Sequence, residues 1–181
     1  MPKLDPLALD GVFLFTPDRH GDARGWFSES WRRDIWQEAG VTTDFVQDNE
    51  SFSQESGTVR GLHFQLAPMA QAKLVRVLAG RILDVAVDIR PGSKTFGKHV
   101  AVELGADDRK QLFIPTGFAH GFCTLQPNTQ IAYKVSAYYS PAHDRGIRWN
   151  DPALGIAWPV RADQAILSDK DQKLPDLKSI I

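Results

Sequence analysis

A histidine, a lysine and a tyrosine on short apolar runs could bring a base, a fixed cation and an acid to one cavity. The histidine lies in Arg60-Gly61-Leu62-His63-Phe64-Gln65, and the lysine follows in Gln71-Ala72-Lys73-Leu74-Val75. An imidazole can take a proton, and an ammonium held nearby stabilises the oxyanion that results. Tyr133, in Ile131-Ala132-Tyr133-Lys134, could return a proton from across the cavity. The plainer reading is a satisfied core histidine, a solvated lysine and a packing tyrosine. Strict strand alternation also sends Arg60 and His63 to opposite faces, so one site can use both only if Gly61 permits a bulge.

The elements that must position these residues are short strands. In Leu83 to Ile89 the odd positions are apolar and the even ones small or acidic, a period of two. Similar runs are Val12 to Phe15, Thr58 to Gln65, Lys73 to Leu78, His99 to Leu104, Gln111 to Ile114 and Thr129 to Val135. Ala79-Gly80 reads as a tight hairpin turn. Pro91-Gly92, Gly105, Pro115 and Pro127-Asn128 punctuate the rest, a spacing that favours an all-β sandwich or barrel. One exception is Ser30 to Gly40, where Trp31 and Ile35 stand four apart before a glycine stop, predicting a short helix outside the β core. The polar tail is expected as short turns or helix packed on the barrel.

Composition narrows the function. Twenty-one basic against 22 acidic residues leave a net charge of −1, so there is no basic field for nucleic acid. A single cysteine, Cys123, excludes an internal disulfide framework and a cysteine zinc cluster. No apolar run approaches the roughly 18 residues of a membrane span, and no secretion signal is visible, so a cytoplasmic location is expected.

Pro115-Thr116-Gly117-Phe118-Ala119-His120-Gly121-Phe122 resembles the second motif of the cupin superfamily of small β-barrels. Metal-binding cupins add two histidines and a glutamate from an earlier His-x-His motif. Here that motif reads His63-Phe64-Gln65, so one histidine is missing and no metal is expected.

Over nearly the whole chain, the sequence resembles the dTDP-4-dehydrorhamnose 3,5-epimerase family of cupin-fold isomerases. The resemblance rests on Gly21 to Glu29, Gln47-Asp48-Asn49, Val59 to Gln65, Gln71 to Val75, Asp84 to Asp88, Phe113 to Phe122, Tyr133-Lys134, Gly146 to Pro152 and Leu167 to Asp171. It implies an all-β, cupin-like jelly-roll β-barrel with a few short peripheral helices, as a single domain over 1–181 whose segment 161–181 is a polar tail. It also implies inversion of C3 and C5 of a dTDP-linked 4-keto-6-deoxy sugar through an enolate. His63 matches the family's base, Tyr133 its acid, and Lys73 the cation at the C4 oxygen. Asp171 resembles the carboxylate that orients the base, with Asp84 a second candidate for that pairing. Arg24 and Arg60 match diphosphate contacts. Phe27, Glu29, Gln47, Asp48, Asn49, His120, Asp144 and Lys170 match further substrate-binding positions. Asp144 stands where the family usually carries glutamate, and Trp26 replaces a common tyrosine. Family members are typically homodimers that exchange N-terminal strands; Val12 to Phe15 suits that role and equally an ordinary strand of its own barrel. The alternatives are a 3-epimerase or related keto-sugar epimerase, and a non-catalytic nucleotide-sugar binder.

Overall fold

Short β-rich runs broken by glycine and proline must pair in antiparallel sheets, and the computed structural model, which describes residues 2–180, shows how. The strands are β1 (Lys3–Pro6), β2 (Phe13–Thr16), β3 (His20–Asp22), β4 (Gly25–Phe27), β5 (Gln47–Ser53), β6 (Val59–Gln65) and β7 (Lys73–Ala79). They continue with β8 (Arg81–Asp88), β9 (His99–Gly105), β10 (Gln111–Ile114), β11 (Phe118–Thr124), β12 (Thr129–Val135) and β13 (Asp144–Gly146). Of the expected domain 1–181, Met1 and Ile181 lie outside the described residues.

The expected closed jelly-roll barrel is corrected. Two open sheets face each other, one ordered β1-β2-β10-β7-β12-β5 and the other β13-β6-β11-β8-β9, with β3-β4 as a separate hairpin. The edge strands β5 and β13 are not joined, and Asn49 of β5 and Asp144 of β13 stand in the wall of one cavity. The all-β class with short peripheral helices stands.

Between the sheets, Val75, Val77, Leu112, Ile114 and Ile131 of the larger one meet Ile82, Ala86, Leu104, Phe118 and Phe122 of the smaller. Apolar burial of this kind stabilises by roughly 25 cal/mol per Å² removed from water. Strand β8 is buried on both faces. Its even positions Ile82 and Ala86 belong to this central core, while Val85 and Val87 pack with Ile147, Leu154 and Leu177 of the C-terminal segment. The row carrying Asp84 and Asp88 therefore faces the interior, not solvent.

Ala79-Gly80 is not a hairpin. Strands β7 and β8 belong to different sheets, and Gly80, at φ +78°, turns the chain from one to the other. Helix α1 (Arg33–Glu38) lies within the predicted 30–40 segment. Six residues are too few to hold a helix in water. It is anchored by Trp36, whose ring meets Phe15 and Phe113 on the outer face of the six-stranded sheet. The tail forms two 3-10 turns, Asp171–Lys173 and Leu177–Ser179. Strand β2 pairs with β10 of its own chain.

Candidate active site

The bulge that Arg60 and His63 require is present. Opposite β11, His63 partners His120 and Arg60 partners Phe122, so two residues of β6 face the single Gly121. Val59 and Leu62 then point outward while Arg60 and His63 both face the cavity. Gly61 makes this possible, with φ +119°, where a side chain is strained. A Cβ on it would stand 2.6 Å from Gly121 Cα and 2.7 Å from the His120 carbonyl oxygen.

The cavity measures about 430 Å³ and is walled by both sheets: Arg60, His63 and His120 on one side, Lys73 and Tyr133 on the other. Lys170 and Asp171 close it from the C-terminal tail. A second lobe of about 340 Å³ shares His63, Lys73, Tyr133 and Lys170 and adds Gln47, Asn49 and Asp144. A larger hollow, about 600 Å³ beside α1, touches none of the proton-transfer candidates.

His63 Nε2 lies 2.6 Å from Asp171 Oδ1, which settles the choice between Asp171 and Asp84 for that pairing. Burial pushes the Asp171 carboxyl up, but the hydrogen bond and charge of His63, the Gly61 amide and Lys170 more than offset it, leaving it below its ordinary value. An ionised carboxylate only accepts hydrogen bonds. The His63 proton therefore sits on Nε2, and the lone pair is on the other ring nitrogen. His63 keeps 31% of its side-chain surface exposed while Asp171 keeps 4%.

Asp84 pairs instead with His120, Oδ1 to Nε2 at 2.7 Å, and both are buried. Burial lowers the His120 pKa against the attraction of Asp84, and repulsion from Lys73 and His63 adds to the fall. Lys73 is buried at 8% exposure, and its Nζ donates only a 3.4 Å hydrogen bond to the His63 carbonyl. Burial brings its pKa down from 10.5 to about 8, opposed by Asp84 first and Asp144 second. Lys73 is therefore still an ammonium at neutral pH. Burial raises the Tyr133 hydroxyl, with Arg60 pulling the other way, so it keeps its proton.

The remaining candidates divide. Asp144 is ion-paired with Lys170 and accepts a 3.3 Å hydrogen bond from the Tyr139 hydroxyl, keeping it at the second lobe despite its short side chain. Alternation along β5 turns Gln47 and Asn49 inward and Asp48 outward, where Lys134 Nζ meets it at 2.9 Å. Arg24 bonds to Asp22 on the β3-β4 hairpin, and Phe27 on that hairpin is 65% exposed. Glu29 accepts from Arg32 at 3.2 Å beside α1. None of these three lines the His63 cavity. Gln71 and Tyr139 line the second lobe and Ser51 the first, though none was singled out as a site residue. Ser51 was within reach of the same period-two count that turns Gln47 and Asn49 inward. Among the described residues no three metal-ligating side chains cluster. No helix among them is long and apolar enough to cross a membrane.

A family model described as dTDP-4-dehydrorhamnose 3,5-epimerase matches residues 6–179. A dTDP-4-dehydrorhamnose 3,5-epimerase of Sinorhizobium fredii is 52% identical over 171 residues, covering 94% of this chain and 87% of that protein. The Bacillus anthracis enzyme of the same name, solved with TDP and PPi bound, superposes with a TM-score of 0.94 at 49% identity, covering 97% of this chain and 99% of that one. A Legionella pneumophila dTDP-6-deoxy-D-glucose-3,5-epimerase, in complex with dTDP-4-keto-L-rhamnose, gives 0.94 at 43% identity over 100% and 95% of the two chains.

Proposed function

The chain belongs to the dTDP-4-dehydrorhamnose 3,5-epimerase family, and from that premise we propose how its own side chains divide the work. The reaction inverts C3 and C5 of dTDP-4-dehydro-6-deoxy-D-glucose to give dTDP-4-dehydro-L-rhamnose. Both carbons lie α to the C4 ketone, so each inversion removes a proton, forms an enolate and returns a proton to the opposite face.

His63 is the base. Its free ring nitrogen takes the proton, and Asp171 orients the ring and stabilises the imidazolium. Tyr133 is the acid, and its position carries the reading: it stands on β12 of one sheet while His63 stands on β6 of the other, both at one cavity. A sugar between the sheets then meets a base on one face and a donor on the other. Lys73 presents its ammonium to the enolate oxygen in a largely water-free wall, where a fixed charge acts strongly. Arg60 suits a diphosphate oxygen, His120 and Lys170 the sugar, and Gln47 and Asn49 the second lobe. No step calls for a metal or a redox cofactor.

Arg24, Phe27 and Glu29 lie outside their own chain's cavity, on and beside an exposed hairpin. They fit a homodimer in which each hairpin serves the partner's nucleotide. A cytoplasmic, single-domain enzyme that touches neither nucleic acid nor membrane accords with the near-neutral net charge.

Proton NMR of dTDP-4-keto-6-deoxyglucose with the protein in deuterated buffer tests this. Loss of both the C3 and C5 signals, with a reductase trapping the L-rhamnose product, is the expected result. Loss at C3 alone would make the chain a 3-epimerase, and tight binding without exchange a non-catalytic binder.

A further inference from the structure

Asp84 is wholly buried, and only one of its oxygens is satisfied. Oδ1 meets His120, while Oδ2 is shut off without a hydrogen-bond partner. Asp88, two places along the same inward row, shows what full satisfaction looks like. Its Oδ1 accepts from the Arg90 amide and guanidinium, and its Oδ2 from Arg90, Ser93 and Thr95. A half-bare buried carboxylate is costly unless a nearby charge offsets it.

His120 does not offset it. Buried between two strands and repelled by Lys73 and His63, the ring stays neutral and supplies no counter-charge to Asp84. The titratable groups around Lys73 are Arg60 and His63 on β6, Asp84 on β8, His120 on β11, Tyr133 on β12, Tyr139 after it, Asp144 on β13, and Lys170 and Asp171 in the tail. Asp171 is already held by His63. Asp144 is already held by Lys170. That leaves the Lys73 ammonium, itself buried and poorly hydrogen-bonded, as the complement of Asp84.

We infer that Asp84 is a positioning residue for the epimerisation: from behind the His120 ring it is the buried counter-charge that keeps Lys73 an ammonium at the enolate oxygen. The inference rests on the reading of Lys73 given above. Without Asp84, the weaker pull of Asp144 alone would oppose the desolvation of Lys73, and the ammonium would lose its proton within the working pH range.

The test is the pH profile of Asp84→Asn, which keeps an acceptor for His120 but removes the charge. The alkaline limb of kcat/KM moves down by roughly one pH unit. At neutral pH kcat falls while KM changes little, and Asp84→Glu brings the limb back. A uniform loss with the limb unmoved would mean a structural role only and would overturn the inference. Lys73→Arg, which stays charged, removes the limb; a limb that persists in it overturns the inference too.

Should Asp84→Asn fail to fold, Lys73→Met probes the same coupling through stability. With its counter-charge gone, Asp84 holds a proton in the folded state at a pH where the unfolded chain has released it. The Tm deficit against wild type then grows as pH rises through and above the ordinary carboxylate range of about 4. A deficit independent of pH would refute the coupling. Wild type without C3 and C5 exchange defeats the functional reading itself; exchange with an immobile limb defeats only Asp84's part.

Discussion

Two imidazole–carboxylate pairs stand on neighbouring strands with nearly equal separations, 2.6 Å for His63–Asp171 and 2.7 Å for His120–Asp84. Their surroundings set them apart. His63 keeps about a third of its surface open to the cavity, whereas the His120 side chain is 7% exposed and its carboxylate fully buried. Asp171 arrives from the tail, over a hundred residues along the chain, and Asp84 from the adjacent strand of the same sheet. A ring that must trade protons with substrate needs access and a partner that steadies its charged form. A ring kept neutral against a buried carboxylate serves the electrostatics of what lies beside it. Identical hydrogen bonds thus do different chemistry because their solvation differs.

The contrast is broken most severely at His63. His63→Ala should lower kcat by at least about 10³-fold and abolish deuterium incorporation. His120→Ala, if the pairs are as unlike as proposed, costs much less in kcat and shows mainly in KM. Steady-state kinetics on the two purified variants checks both. Asp171→Asn should cost on the order of 10²-fold or more in kcat, through loss of ring orientation and imidazolium stabilisation, with KM little altered. A loss confined to KM would move Asp171 out of the proton-transfer step.

Gly61→Ala tests the geometry beneath both pairs, since it thrusts a methyl into the opposing β11 backbone at a positive φ. A loss of about 2–4 kcal/mol in chemical denaturation is expected, with activity reduced in the surviving fold. The smallest effect is in the wild-type pH profile. With Lys73 titrating near 8, kcat/KM falls by about tenfold per pH unit above that value. The same shift has a stability sign. An ammonium with a folded pKa below its unfolded one is disfavoured on folding at low pH, and that penalty fades as pH rises from about 8 towards 10.5.

Local pattern made much of this legible. Gln111–Ile114 and Thr129–Val135 emerge with the boundaries expected of them, and the bulge on which a shared site for Arg60 and His63 depends is present. What escaped was set by partners distant in the chain. Gly80 carries the same turn signal whether its flanking strands pair or part, and here they part. Alternation along β8 separates its acidic row from its apolar row but cannot tell which layer covers which side; here a tail covers Val85 and Val87 and the acidic row faces the interior. The barrel expectation failed for a related reason, since edge closure depends on strands that leave no local mark. Asp84 and Asp171 could not be ranked because only the folded tail brings one of them to His63.

That double covering of β8 also bears on how the chain reaches its native state. Until residues 147–180 arrive, the outer row of Val85 and Val87 faces water together with Ala119 of the neighbouring β11 and Leu62 of β6 beyond it. Contacts so remote in the chain form late and slowly. The half-assembled five-stranded sheet is therefore the species in which this protein would self-associate. The segment that places Asp171 beside His63 also ends that exposure, so the arrival of catalytic competence and the close of the aggregation window are one event.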